Sequence, residues 1–142
     1  KSLVTDIPRV VRCVREIISK SRRNIIIDGH YVPDIVPFNS VRFAFVLRCE
    51  PDKLKKRLEN VGMKGNKTME NVAAEILDAC LWDTVNAYGI KKICEIDTSD
   101  KMPEDVVKEI LAVLRGKIKA TIRRVDWLKK LEEEGRVREF LG

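Results

Sequence analysis

The chain has 142 residues, of which 44% are hydrophobic and 35% are charged, and its formal net charge is +6. This composition fits one domain with an ordinary core, and it excludes a low-complexity or repeat protein. No apolar stretch approaches about 18 residues and no signal-peptide pattern occurs, which predicts a soluble, cytoplasmic protein with no membrane partner. The positive charge favours an anionic partner such as a nucleotide or RNA, although a solvated basic surface has the same composition.

The first part of the chain alternates between helical and strand patterns. Asp6 is a helix cap and Pro8 fits the first turn, so a helix is predicted that runs to about Ser19. Residues 25–28 are apolar up to an acid and are predicted as a strand, and residues 41–48 as a second strand.

Two predicted helices flank a basic loop. The first begins near Pro51 and stops at Gly62, and residues 62–67 form the loop. Thr68 is predicted to cap one long helix that runs to Tyr88. The dense basic residues of this region have a simple interpretation as a solvated helix face. They are Lys53, Lys55, Lys56, Arg57, Lys64 and Lys67.

The last part contains a strand, a helix and a tail. Residues 92–97 alternate as a strand, and a helix from Pro103 ends at Gly116. In the tail, residues 117–142, basic residues that include Arg123 and Arg124 precede an acidic run, an order that opposes the dipole of one continuous helix. The tail is predicted either to pack on the domain or to dock on a ribosomal protein or rRNA. Its apolar stripe consists of Ile118, Ile122, Val125, Leu128 and Leu131.

Four cysteines, Cys13, Cys49, Cys80 and Cys94, lie far apart without a Cys-x-x-Cys pair. They are predicted to be reduced core residues and not a zinc site or a disulfide framework. Strands that alternate with helices predict parallel pairing in a layered α/β domain, for which three strands are few.

Polar residues follow the strand predicted over residues 25–28. Asp28 is followed by Gly29 and by His30, the only histidine. In a parallel α/β sheet this edge is where ligands bind, and there an aspartate can hold magnesium while a histidine orients a nucleophile or phosphate. The simpler interpretation is a turn, with Asp28 capping the loop and His30 exposed.

Five segments between residues 3 and 116 occur in a specific order and spacing, and together they resemble the adenylate kinase isoenzyme 6 family. This family comprises small P-loop nucleoside monophosphate kinases of archaea and eukaryotes that are linked to maturation of the small ribosomal subunit. The segments are Asp6-Ile7-Pro8-Arg9-Val10-Val11, Ile25-Ile26-Ile27-Asp28-Gly29-His30, Phe45-Val46-Leu47-Arg48, Arg57-Leu58-Glu59-Asn60-Val61-Gly62 and Asn71-Val72-Ala73-Ala74-Glu75-Ile76.

The resemblance implies a P-loop NTPase-like three-layer α/β domain over residues 1–116 and a helical extension over residues 117–142. It implies phosphoryl transfer from ATP to AMP with Mg²⁺, and ATP hydrolysis as a side reaction. Asp28 and His30 look like the family's Walker B type Asp-x-His, with Asp28 serving the magnesium through water. Residues of about 60–70 look like the lid over ATP. The implied ATP and lid positions are Arg57, Asn60, Val61, Gly62, Lys64 and Lys67.

The sequence departs from the family pattern in two ways. No Gly-x-x-x-x-Gly-Lys-Ser/Thr phosphate loop occurs in the 142 residues, so the chain by itself is expected to be inactive. The family's first strand lies between the strands at residues 25–28 and 41–48. We therefore expect a C-terminal part of a longer polypeptide without the first two strands, or else a diverged relative whose partner or own tail fills the slot. In addition, Val61 stands where the family typically has an arginine that contacts ATP, and nearby cations do not offer the same planar fork.

The resemblance also implies partners beyond the nucleotides, namely a small-subunit ribosomal protein of the uS11 type and pre-ribosomal RNA. The resemblance therefore implies two functions. The first is a nucleoside monophosphate kinase with a role in small-subunit biogenesis. The alternative is a catalytically weak or dead assembly factor in which nucleotide binding acts as a switch.

Overall fold

The computed structural model describes residues 6–122 and 125–142. No helix within these ranges is long and apolar enough to cross a bilayer. Short 3₁₀ turns occur at Phe38–Ser40 and Ile90–Lys92. In chain order the helices and strands are α1 Ile7–Lys20, α2 Val32–Ile35, β1 Ala44–Arg48, α3 Pro51–Asn60, α4 Asn66–Ile76, α5 Ala79–Tyr88, β2 Ile93–Asp97, α6 Pro103–Leu114, α7 Trp127–Glu133 and α8 Val137–Leu141.

Strands β1 and β2 pair in parallel, and the chain between them passes through α3, α4 and α5. The register places Ala44 opposite Ile93 and Arg48 opposite Asp97. The first four residues of β2 are almost fully buried, as expected for a parallel strand that is covered on both faces. The small parallel sheet with surrounding helices confirms the predicted α/β class.

The strand predicted over residues 25–28 does not form. These residues pair with no strand in the described ranges, and the Ile26 side chain is 95% exposed. The preceding helix α1 contains no buried residue. An apolar run becomes a buried strand only where a neighbour supplies backbone hydrogen bonds and a covering face, and neither is present here. The strand predicted from residue 41 begins only at Ala44.

The long helix predicted from Thr68 to Tyr88 is two helices. The first begins earlier, at Asn66, because Gly65 forms the N-cap with a φ of 64°. Thr68 is buried within that helix, and its hydroxyl has no hydrogen-bond partner in the described ranges. The break falls at Asp78, whose φ of 57° is left-handed and incompatible with a continuous α-helix.

The tail packs on the domain, which confirms one of the two predicted alternatives. Trp127, Leu131 and Phe140 form one buried cluster with Val72 and Ile76 of α4. Two short helices, α7 and α8, replace the continuous helix that the charge order disfavoured. Of the predicted stripe, Leu131, Val125 and Leu128 join this cluster, Ile122 packs against another one, and Ile118 is exposed. The predicted basic residues Arg123 and Arg124 lie outside the described residues.

All four cysteines are free thiols. Cys49 and Cys94 are buried, as predicted, whereas Cys13 and Cys80 are exposed. The core prediction was wrong for Cys13, which lies on the outer face of α1, and for Cys80, which is exposed in the first turn of α5.

Candidate functional site

The carboxyl ends of β1 and β2 meet at the edge where parallel α/β sheets bind ligands, which we call the carboxyl edge. The backbone N–H and the hydroxyl of Thr98 both donate to the carbonyl of Arg48 at 2.8 Å. The N–H of Glu50 donates to the hydroxyl of Ser99 at 2.8 Å, and that hydroxyl donates to Asp97 at 2.5 Å. These bonds hold the two strand ends in one fixed arrangement.

Two basic side chains of helix α3 contact the residues that follow β2 at the carboxyl edge. The guanidinium of Arg57 donates to the carbonyls of Thr98 and Ser99 at 2.8 and 3.2 Å and to the Thr98 hydroxyl at 3.2 Å. Lys53 lies 2.6 Å from both carboxylate oxygens of Asp100, and this bond raises the pKa of the lysine. Arg57 therefore joins α3 to the end of β2, and its predicted contact with ATP stays a prediction.

The predicted loop between the two helices is a tight turn of five residues, 61–65, which we call the lid turn. The N–H groups of Gly62 and Met63 donate to the carbonyls of Glu59 and Leu58, both at 3.0 Å, which closes the end of α3. Gly62 has a φ of 88°, which favours glycine. The predicted lid of residues 60–70 thus consists of the last residue of α3, the lid turn and the first part of α4.

The remaining predicted lid residues face solvent. Val61 is 80% exposed at the end of α3, and Asn60 is exposed beside it. Lys64 and Lys67 are exposed, and neither makes a side-chain hydrogen bond or ion pair within the described ranges. Lys64 in the lid turn and Lys67 at the start of α4 are therefore two cations that are available to an anionic ligand.

Asp28 and His30 are both exposed. The simpler interpretation expected the exposure of His30, whereas no hydrogen bond by which Asp28 would cap the loop occurs within the described ranges. The His30 ring lies against Tyr31 with a centroid distance of 4.4 Å. In the described ranges no hydrogen bond or ion pair joins either side chain to α3, the lid turn or α4. Further along, the hydroxyl of Tyr88 lies 2.8 Å from the carbonyl of Val32, which anchors α2 on α5. The structure therefore does not join Asp28 and His30 to the predicted lid residues.

The residues present offer only part of a magnesium site. Within the described ranges no group of three or more His, Cys, Asp or Glu residues could hold a metal. Mg²⁺ normally keeps several waters and takes one or two carboxylates together with nucleotide phosphates. The single exposed carboxylate of Asp28 fits that donor set, so its predicted role remains open to test.

A buried charge centre behind the carboxyl edge was missed from the sequence. Arg48 is 1% exposed and forms ion pairs with Glu75, Asp78 and Glu95, of which Glu75 lies 2.7 Å from Nε. Burial opposes the charge of Arg48, but Glu75 and Asp78 outweigh it and raise the pKa of the guanidinium. The available signal was an arginine at the end of an apolar strand, where a cation without partners is too costly to bury.

The comparisons with known proteins agree with this architecture. A family described as an AAA domain matches residues 1–78, more than half of the chain. A protein named "Putative adenylate kinase" from Methanocaldococcus jannaschii is 37% identical over 129 residues, which cover 91% of this chain and 67% of that protein. The protein of the same name from Thermococcus onnurineus is 35% identical over 128 residues, 90% of this chain and 67% of that protein. The one from Pyrococcus furiosus is 36% identical over 111 residues, 78% of this chain and 58% of that protein.

The chain thus spans between 58 and 67% of the length of these relatives. The similarity runs through α1, both strands, α3 and α4, and with Methanocaldococcus jannaschii it covers nearly all of this chain. Together with the parallel sheet and the helix that covers its carboxyl edge, these matches show that the chain belongs to an adenylate-kinase-like family of P-loop proteins.

Proposed function

We propose that the protein carrying these residues is a nucleoside monophosphate kinase that transfers the terminal phosphoryl group of ATP to AMP. The observation that carries the proposal is the pair of exposed cations, Lys64 in the lid turn and Lys67 at the start of α4, which make no side-chain hydrogen bond or ion pair within the described ranges. Arg57 joins the adjoining helix α3 to the carboxyl edge. Phosphoryl transfer needs alignment of the reactants and neutralisation of the spreading negative charge. A cationic turn at the end of a helix that Arg57 joins to the ligand-binding edge of the sheet meets both needs.

The roles of the other predicted residues belong to the same proposal. Asp28 would hold Mg²⁺ through water, and His30 would orient a phosphate group or the water that attacks in ATP hydrolysis. Bound Mg²⁺ neutralises charge on the phosphates. The exposure of both side chains supports these roles, since neither makes a side-chain hydrogen bond or ion pair within the described ranges.

A longer polypeptide is the proper sample for the assay. Because the 142 residues contain no Gly-rich phosphate loop, we expect no turnover by them alone. ADP formation from ATP and AMP is measured with the full-length polypeptide, its Asp28→Ala variant and an Asp34→Ala control. Asp34 is an exposed acid on the neighbouring α2. Asp28→Ala should lower kcat at least about a hundredfold and the control less than about twofold. Wild-type turnover no higher than that of Asp28→Ala would contradict the proposal.

A second proposed role is in maturation of the small ribosomal subunit, as in the isoenzyme 6 branch, with a uS11-type protein or pre-ribosomal RNA as partner. In this role nucleotide binding acts as a switch and catalysis is weak or absent. The net charge of +6 favours it, as do Arg9, Arg12 and Arg15 of α1, which are exposed and make no side-chain bond within the described ranges. Copurification of the tagged cytoplasmic protein with pre-ribosomal particles tests it. Binding should fall in an Arg12→Glu/Arg15→Glu variant, and an absence of such particles from the wild-type sample removes the role.

A further inference from the structure

The lid turn is the tip of a helical hairpin whose base lies against the tail. Helices α3 and α4 form the arms of this hairpin. Its base consists of Glu50 and Asp52 at the start of α3 and of Val72, Glu75 and Ile76 in the second half of α4. The tail, from residue 125 onward, contacts the base on both arms.

On the α3 arm the contacts are ionic. The guanidinium of Arg136 binds the carboxylate of Asp52 through two parallel hydrogen bonds of 3.0 Å. Lys130 forms an ion pair with Glu50. A planar fork on a carboxylate restricts orientation as well as distance, so this contact holds the arm in one direction. The ion pairs lower the pKa of both acids, that of Asp52 through Arg136 and that of Glu50 through Lys130 and Lys53.

On the α4 arm the contacts are apolar with one directed hydrogen bond. The buried side chains of Leu131 and Phe140 pack with Val72 and Ile76. The indole Nε1–H of Trp127 donates to Glu75 at 2.9 Å. The tail therefore contacts both α3 and α4. Both helices would have to shift if the lid turn moved.

We propose that Arg136 and Trp127 are positioning residues for the lid turn, which hold the base of the hairpin and so limit how far its tip swings from the carboxyl edge. The inference rests on the proposed kinase function, in which the lid turn covers ATP. Helix α3 has 10 residues and is about 15 Å long. A rotation of about 10° at its base moves the tip by about 3 Å, enough to break contacts with a phosphate.

Limited trypsin digestion of the full-length polypeptide without nucleotide tests the restraint directly, because Lys64 lies in the lid turn. Arg136→Gln should raise the rate of cleavage after Lys64 roughly two- to fivefold, the range expected when the partly exposed ion pair of Arg136 with Asp52 is lost together with its pairs to Glu134 and Glu139 within the tail. Arg138→Gln is the matched control: it removes the same charge from α8, and Arg138 makes no side-chain bond within the described ranges. Cleavage after Arg22 or Arg23 reports on general loosening.

The outcomes separate cleanly. Faster cleavage at the lid turn in Arg136→Gln alone, with intermediate cleavage in Arg136→Lys, supports the proposal, since lysine keeps the charge but loses the fork. Unchanged cleavage at the lid turn overturns it. An equal rise after Arg22 or Arg23 also overturns it, because the tail would then support the whole fold and not the lid turn.

Kinetics distinguish positioning from a loss of folded enzyme. Arg136→Gln and Trp127→Phe should raise the KM for ATP about two- to fivefold and leave the KM for AMP unchanged. A merely structural role would lower kcat and move neither KM, and that result contradicts the proposal. If the wild-type enzyme shows no turnover, the proposed function fails while the digestion still decides the restraint.

Discussion

The indole Nε1–H of Trp127 donates a 2.9 Å hydrogen bond to Oε1 of Glu75, and the same oxygen accepts a 2.7 Å bond from Nε of Arg48. It also accepts the backbone N–H of Cys49 at 3.1 Å. One carboxylate oxygen thus connects the tail, helix α4 and the end of β1. Because these groups are largely removed from water, each bond is stronger than on the surface and costly to leave unmade.

Replacing Glu75 should therefore destabilise the protein more than replacing its tail partner. Glu75→Ala leaves a buried cation with fewer partners and should cost about 3 kcal/mol of unfolding free energy. Trp127→Phe removes one hydrogen bond and little volume, and should cost about 1 kcal/mol. Urea unfolding followed by circular dichroism measures both. Equal losses in the two variants would mean that the carboxylate is not the central group.

Asp78 combines a left-handed backbone with an ion pair to Arg48, so its substitutions should rank by both properties. Asp78→Asn keeps a residue type that tolerates positive φ, while Asp78→Ala loses both the tolerance and the pair. We expect a cost of about 2 kcal/mol for alanine and about half of that for asparagine. Thermal or urea unfolding decides the order, and an alanine variant as stable as the asparagine variant would contradict it.

The tail contacts on α3 should depend on pH in the acid range. The pKa of Asp52 is lowered from its ordinary 3.8 by Arg136, and that of Glu50 from 4.5 by Lys130. Both acids have a lower pKa in the folded state than in the unfolded state. Their contribution to the free energy of unfolding is therefore complete at pH values above these ordinary pKa values. It is lost as the pH falls through the lower folded-state values.

The matching experiment compares wild type with Arg136→Gln in urea. The difference between their unfolding midpoints should be full at about pH 7 and should shrink as the pH falls below the ordinary 3.8 of Asp52, because protonation of this acid removes the ion pair with Arg136. The control is Arg138→Gln, which should match the wild type at both pH values. A difference that persists at the lowest pH would show that Arg136 acts through packing and not through its charge.

Restoring an arginine at position 61 should improve ATP binding. The Val61 side chain is 80% exposed at the end of α3, so a long side chain meets no steric barrier there. Val61→Arg in the full-length polypeptide should lower the KM for ATP about three- to tenfold and change stability by less than about 0.5 kcal/mol. Val61→Gln, which is long but uncharged, is the control. An unchanged KM in the arginine variant would show that Lys64 and Lys67 already supply the charge.

A comparison of Ile26 with Ile96 tests whether residues 25–28 form a strand in a longer polypeptide. Ile26 is 95% exposed and Ile96 is fully buried in β2. In the 142-residue chain Ile26→Ala should change stability by less than about 0.5 kcal/mol, whereas Ile96→Ala should cost about 2 to 5 kcal/mol. In a polypeptide that supplies a strand beside residues 25–28, Ile26→Ala should cost about 2 kcal/mol. An unchanged small cost there would contradict a strand in that slot.

Elements that depend on local signals could be predicted before the fold was known. The side chain of Asp6 accepts the N–H of Arg9 at 3.0 Å and begins α1, and Pro103 begins α6, which ends just before Gly116. The parallel pairing of β1 and β2 followed from the alternation of strands and helices. Caps, prolines and glycines act within a few residues of themselves, so their effects can be inferred without a fold.

Contacts between residues that are distant along the chain depend on the three-dimensional fold. Arg48 reaches acids 27, 30 and 47 positions away, and Trp127 reaches Glu75 across 52 positions. That network explains the break at Asp78 and the docking of the tail, which no local pattern contains. Likewise, the apolar run at residues 25–28 has the pattern of a strand, but no neighbouring strand pairs with it in the described ranges. Pairing and charge burial depend on what other segments supply, and this is why the fold class could be predicted whereas the buried charge centre could not.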